Sequence, residues 1–404
     1  MILSGHSLTE RLAQHLLRPV GEETRERARL HLLDWLGCVA GALRSEAAGL
    51  VGGAALTKAA WLGNVLEMDD VHREALLHPG PVVWPAALTA ADMDAALAAA
   101  VRGYEAMIAI GASFDAEHYA MFHPTATAGV FGAAAAASRG DAGMIAHALA
   151  LAGSVSGGLW QTRHSRNLAK QWHVAHAVAT GRAAADHASS GVTGPLDVLE
   201  GGQGLYAATC DTSKPLALDD GWRIAEVSFK PWGACRHAHP AIDAALALRE
   251  AGALTGKVVV ETYADALTFC DKPEPRTVLE AKFSLQHAVA VVAERGEPTL
   301  ADFEPEAIAA LAEARARVGV VEAAAITARY PAHFGARVSA GSETVERIDT
   351  LGDPERPLPR EGVIAKARAL MAWGGVTADA DAAVAACLEG DDPGAVVGLL
   401  ERWL

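Results

Sequence analysis

The sequence predicts a fold that is mainly α with an inserted α/β domain, and three observations carry that prediction. Most of the 51% apolar content is alanine and aromatics are only 5%, a composition that favours helices because alanine loses no side-chain entropy there. Helical spacing of apolar residues runs through both ends of the chain. Between about residues 223 and 350, valine- and threonine-rich runs alternate with helical ones, which is the pattern of mixed strands and helices.

In chain order, SLTERLAQHLL opens with Ser7 and has Glu10 three residues on, a capping-box start. GEETRERARLHLLDWLGCVAGAL then sets Ala28, Leu32, Trp35 and Leu36 on one helical stripe. From 81 to 200, helical segments separated by Gly or Pro follow one another, and their small residues predict closely packed helices. RIAEVSFK and KVVVETYADAL read as strands, as does AITARYPAHFGARVSAGSETVERI with SAGSE as its hairpin turn. HPAIDAALALREAG, FSLQHAVAVVAERGE and PEAIAALAEARA between them read as helices. After the Pro-rich GDPERPLPREG the chain returns to helix through Leu404. The expected domains are therefore a discontinuous helical one, 1–222 with 351–404, and an α/β one, 223–350.

A net charge of −15 and an isoelectric point near 5.5 argue against nucleic acid and anionic membrane as partners, since both reward surplus Lys and Arg. No uninterrupted apolar run approaches the roughly 20 residues of a membrane helix. The first residues lack the basic-then-apolar order of a secretory signal. The five cysteines are scattered and without CxxC spacing, which fits a reducing, cytoplasmic setting and offers no zinc or disulfide framework.

Four segments concentrate reactive groups. LEMDDVHREALLHPG holds Glu67, Asp69, Asp70, His72 and His78, and Pro79 and Gly80 are expected to break any helix there. Carboxylates and imidazoles are metal ligands, but no HxxxH or other ligand spacing is present, so a metal site, as in a metal-dependent hydrolase, is the lesser reading beside an ionic network, a proton-transfer site or a solvated acidic turn. MFHPTATAGVFG places His123 before Pro124, with Thr125 as a candidate helix cap beside an anion-favouring helix start. TRHSRNLAKQWHVAHA carries Arg163, His164, Arg166, Lys170, His173 and His176, either a solvated basic face or a carboxylate-binding one. FKPWGACRHAHPAIDAA gathers Lys230, Cys235, Arg236, His237 and His239 ahead of a helix with Pro240 in its first turn. A helix start there can lower a thiol pKa, and core packing is the alternative for Cys235.

Six segments, taken together and in order, resemble the MmgE/PrpD family: RARLHLLDWLGCVAGAL, EMDDVHREALLHPG, FHPTATAGVFGAAAAA, FKPWGACRHAHPAIDAA, AKFSLQHAVA and ERPLPREGVIAKARAL. Known members include 2-methylcitrate dehydratase, cis-aconitate decarboxylase and iminodisuccinate epimerase. The resemblance implies an all-helical domain plus a smaller α+β lid domain, a homodimer, no metal and no organic cofactor, and a site in the cleft between the domains. Carried over position by position from the decarboxylase branch, it implies Glu67 (Asp is usual), His78, His123, Lys170 and Lys230. Val71 stands where that branch has Thr and Cys235 where it has His, and both departures count against decarboxylation by that branch's route.

The chemistry expected is proton abstraction alpha to a carboxylate of a small di- or tricarboxylate. The charge left behind needs fixed cations and donors. The catalytic candidates are His78, His123, Asp69, Asp70, Lys170 and Lys230. Those for substrate binding are Glu67, His72, Arg166, His173, Cys235, Arg236 and His237. A 2-methylcitrate dehydratase-like hydro-lyase is ranked first on family frequency, with an epimerase or decarboxylase as the enzymatic alternatives. A carboxylate-binding protein with a degenerate cleft is the non-enzymatic one.

Overall fold

Two compact units make up the chain in a computed structural model that describes residues 6–164 and 167–404. One unit joins the residues up to Val227 with Arg360–Leu404, and the other is Ser228–Pro359.

The first unit is helical. Its principal helices are α1 (Leu8–Leu16), α2 (Glu22–Gly41), α3 (Ala55–Leu62), α4 (Gly80–Ala87), α5 (Met93–Ala112), α6 (Gly129–Ala137), α7 (Ala142–Gly153), α8 (Ala169–Ser189), α9 (Arg360–Gly374), α10 (Ala380–Leu388) and α11 (Pro393–Trp403). α1 starts with the capping box read from the sequence: the Ser7 hydroxyl accepts from the Glu10 N–H, and the Glu10 carboxylate accepts from the Ser7 N–H. The predicted stripe on α2 is buried, and every residue from His31 to Gly41 is buried with it. α9 packs along α2, and α8 packs on α6 and α7.

Small residues make these contacts close. A methyl group added at Gly181 of α8 would stand 2.5 Å from the Ala134 backbone nitrogen of α6, and one at Gly374 of α9 only 1.9 Å from the Ala40 carbonyl of α2. The alanine and glycine content is thus a packing device, bringing helix backbones within reach of each other. α5 is long and apolar enough to cross a membrane by length and composition, but 78% of its apolar window is buried inside this unit, as a core helix.

The second unit carries a four-stranded mixed sheet of β1 (Val258–Thr262), β2 (Val318–Glu322), β3 (Ala336–Ala340) and β4 (Glu343–Arg347), in the order β2-β1-β3-β4. β1 runs parallel to β2 and antiparallel to β3, in the register Val260 opposite Val320 and Val338. The predicted hairpin joins β3 to β4 through Gly341, whose φ of +58° suits the tight turn. Val258, Val260, Ala336 and Val338 lie in one apolar core with Ala241, Ile242 and Leu248 of the helix His239–Glu250 and Leu285, Val289 and Val292 of the helix Leu285–Arg295.

Three strand expectations change and one strand was not anticipated. KVVVETYADAL is a strand only through Thr262, before the helix Ala264–Cys270. RIAEVSFK is not a strand: Arg223–Glu226 is a 3-10 turn, and the residues after it lie outside the sheet. The Phe229 N–H donates instead to the Gly352 carbonyl. AITARYP forms a short helical turn, Ala324–Thr327, ahead of β3. β2, in VGVVE, escaped prediction because the alanine-rich run before it carries the helical pattern up to its first valine.

Candidate functional site

The acidic loop between α3 and α4 holds both non-glycine residues of positive φ among the described residues. Glu67 has φ +59° and Leu76 has φ +51°, left-handed conformations that cost an L-residue with a side chain roughly 1–2 kcal/mol each. Contacts hold them there. His72 and Leu77 exchange backbone hydrogen bonds across the tight loop. The Glu67 carboxylate accepts from Lys170 Nζ of α8 at 2.6 Å.

Asp69 and Asp70 are adjacent in sequence and differ in their work. Asp70 is committed to structure: its Oδ2 accepts from the Tyr104 hydroxyl at 2.6 Å and meets His31 Nδ1 at 2.8 Å, while Oδ1 accepts from the Gly80 N–H at 2.8 Å. Gly80 is required there, since a Cβ would lie 2.7 Å from Asp70 Oδ1. Pro79 and Gly80 therefore do not break a helix. They begin α4, with Pro79 at its cap position and Asp70 on its first N–H.

Asp69 faces His78. Its Oδ2 lies 2.9 Å from His78 Nδ1 and accepts from Asn64 Nδ2 at 2.6 Å. His78 Nδ1 is also 3.1 Å from the Asp70 carbonyl. Both neighbours are acceptors, so His78 carries its proton on Nδ1 and presents Nε2. The His78 N–H donates to Thr125 Oγ1 at 3.1 Å, tying the loop to the His123 turn. Thr125 is thereby not the helix cap the sequence suggested: the cap position of Pro124–Thr127 is His123, without a side-chain cap hydrogen bond.

His123 is buried, donates its N–H to the Gly158 carbonyl, and meets His173 of α8 with the two Nδ1 atoms 3.3 Å apart. Trp160 lies against its ring at 4.4 Å between centroids, and the Arg163 guanidinium covers the Trp160 ring at 4.0 Å. Burial, followed by the charges of Lys170, His173, His78 and Arg163, holds His123 well below the ordinary histidine value of 6.5. It is therefore a neutral imidazole at pH 7. Glu67, Asp69, His78, His123, Lys170 and His173 thus belong to one network of the helical unit. Arg166 lies outside the described residues. His176 is exposed and tilts against Trp172, and His72 is spent on structure, accepting from the Ala75 N–H and donating to Glu226.

Beneath the loop lie residues that the sequence reading passed over. Lys366 of α9 donates to Asp34 Oδ1 of α2 and to the Met68 carbonyl, both at 2.6 Å and fully inside the protein. Burial works to lower the Lys366 pKa, but Asp34 leaves it raised, so the ammonium persists. Asp34 and His31 were legible only as polar interruptions of the α2 stripe.

In the second unit, Lys230 and Cys235 are buried, and the Cys235 N–H donates to the Lys282 carbonyl. Arg236 pairs with Asp353 at 2.5 Å, and Asp353 also accepts from Ser228. His237 bonds the Tyr263 hydroxyl at 2.6 Å and stacks between Phe269 and Phe334. Burial lowers it to about 3, and both His237 and Arg236 are buried, the first among aromatic rings and the second in its ion pair with Asp353. Among the described residues, the donors that cluster closely enough to hold a metal ion are His333, Asp349 and Glu355 of the second unit.

Residues 50–217 match the MmgE/PrpD N-terminal domain and residues 232–390 the MmgE/PrpD C-terminal domain. The chain belongs to the MmgE/PrpD family. Its two-part architecture is that of the family, a mainly helical N domain and a C domain with a small mixed four-stranded sheet. The MmgE/PrpD C-terminal match runs beyond the second compact unit through α9 and α10. Lys366 thus falls within that match while belonging to the helical unit. Comparison with curated proteins yields no match.

The buried histidines make stability depend on pH. Burial lowers His31 to about 4 and His237 to about 3, from 6.5. Above pH 6.5 these groups are neutral in both the folded and the unfolded chain. Below it the unfolded chain takes up protons that the folded chain resists, so stability falls from pH 6.5 towards 4. His31 alone accounts for at most about 3 kcal/mol of that loss. Asp34, which burial pushes up to about 6 against the lowering by the Lys366 ammonium, works in the opposite direction and offsets part of that loss. Urea midpoints are expected to drop between pH 7 and pH 4.5, and a constant midpoint would contradict this account.

Proposed function

We propose that this protein is a lyase working without a cofactor on a small di- or tricarboxylate, removing a proton alpha to a carboxylate, and that its reaction is a 2-methylcitrate dehydratase-like loss of water. The observation that carries the reading is the Asp69–His78 pair beside the neutral His123 and the Lys170 cation. His78 Nε2 takes the proton: the C–H bond breaks, an N–H bond forms, and Asp69 stabilises the resulting imidazolium through Nδ1–H. The electron pair left on carbon delocalises into the carboxylate. Lys170, held by Glu67, offsets that charge, and His123 donates a hydrogen bond to the developing oxyanion. The C–O bond to a β-hydroxyl of the same intermediate then breaks, the departing oxygen takes the proton from His78 Nε2, and the products are the dehydrated acid, water and a neutral His78. Lys230 is assigned a substrate carboxylate on its residue type and its position in the family pattern.

Return of the proton to the opposite face would make the same groups an epimerase, and loss of CO2 would make them a decarboxylase. Citrate, 2-methylcitrate, cis-aconitate, tartrate-like acids and iminodisuccinate, each incubated with the enzyme in D2O and followed by NMR, separate these outcomes. The expected result is an alkene signal from a β-hydroxy acid. Deuterium incorporation without elimination points to epimerisation. Binding without exchange would replace the enzymatic reading with that of a carboxylate-binding protein.

A further inference from the structure

The contact between His123 and His173 extends this reading and rests on it. Two imidazole nitrogens 3.3 Å apart form a hydrogen bond only if one carries a proton and the other a lone pair. Which one donates decides the chemistry of His123. If His123 gave its proton from Nδ1, its Nε2 would be bare, and it would be a poor base because burial and the charges of Lys170, His78 and Arg163 disfavour the imidazolium. If His123 accepts at Nδ1, its proton sits on Nε2 and the ring is a neutral donor, the form that can hold a developing oxyanion without a charge of its own.

We infer that His173 is a positioning residue: its Nδ1–H donates to His123 Nδ1 and fixes His123 in the tautomer that carries its proton on Nε2. The surroundings hold both rings in register. His173 rides on the long helix α8, one turn after Lys170, so the cation and the positioning imidazole move as a unit. His123 is pinned by its N–H to the Gly158 carbonyl at 2.8 Å and by the Trp160 face. Gly158, at φ +117°, has no room for a side chain: a Cβ would lie 2.5 Å from that of Ala126 and 3.5 Å from His173 Nδ1. Among the described residues, the other charged or titratable neighbours that act on the pair are Lys170, His78 and Arg163 at His123 and His176 at His173. Burial and His176 lower His173 as well, so both rings are neutral near pH 7 and a single proton lies between them.

Two readouts test this. In long-range 15N–1H spectra of the histidine-labelled enzyme, with His123 assigned by its loss in His123→Asn, the expected pattern near pH 7.5 is a bare Nδ1 and a protonated Nε2. The opposite tautomer would overturn the inference. His173→Phe is expected to release that tautomer preference and to lower kcat about 10²-fold with KM within about threefold. His173→Asn, whose amide N–H can stand close to the Nδ1 position, is expected to recover at least about tenfold of that loss. A His173→Phe enzyme with unchanged tautomer and kcat would refute the assignment. If His173→Phe does not fold, the wild-type spectrum and His173→Asn still decide. If the wild type turns over none of the acids, the reaction proposed above fails while the spectrum still reports on the pair.

Discussion

Alanine in place of His78 is expected to lower kcat about 10²- to 10⁴-fold, the range that general acid–base groups contribute. The side chain is 15% exposed and its ring is held through Nδ1 alone, so its removal should leave the fold near native. Asp69→Asn supplies the companion measurement. An amide nitrogen turned towards Nδ1 would favour the wrong tautomer, with Nε2 protonated and unable to accept, so a loss of similar order is expected although no reacting group has been deleted. Circular dichroism and the thermal midpoint control for folding. A His78→Ala enzyme that keeps more than about a tenth of the wild-type rate would remove His78 from the proton-transfer step.

The second large effect concerns stability. Lys366→Met should destabilise the helical unit by about 3–5 kcal/mol, because it leaves the Asp34 carboxylate buried without its cation. The same change strips a donor from the Met68 carbonyl, next to Glu67 in the acidic loop, so activity should fall below what the unfolded fraction explains. The double variant Lys366→Met with Asp34→Leu should regain most of the stability, since replacing both members of a buried pair by apolar groups removes the uncompensated charge. Chemical denaturation checks the first claim. A single variant as stable as the wild type would show that the pair contributes nothing.

How much of this was readable beforehand depends on whether the signal was local. The helical body was, because alanine density and stripes such as Ala28, Leu32, Trp35 and Leu36 are written into contiguous residues. His78, His123 and Lys170 stood out as reactive groups clustered against an alanine background. The supports of the site were not legible, since Asp34 and Lys366 find each other 332 positions apart and nothing local marks either as a partner. The two acidic neighbours illustrate the same limit. Asp69 and Asp70 are equivalent as letters, and only the placement of Tyr104, His31 and Gly80 commits one of them to structure and turns the other towards His78. β2 failed for a different reason: five residues of VGVVE after an alanine-rich helical run carry too little alternation to announce a strand. His237 read as reactive by residue type, but its two flanking phenylalanines come from segments far off in the sequence.

The donor to the Met68 carbonyl lies 298 residues further along the chain. At ribosomal speeds that interval corresponds to roughly 15 to 60 s of translation. For that time a nascent polypeptide holds Asp34 and the turn at Glu67 without their ammonium. The second unit, whose residues all emerge earlier, can finish folding while the first waits for its closing helix. Premature termination between codons 360 and 366 would accordingly release a product with the whole second unit and an unsupported acidic loop, a natural substrate for quality-control proteolysis.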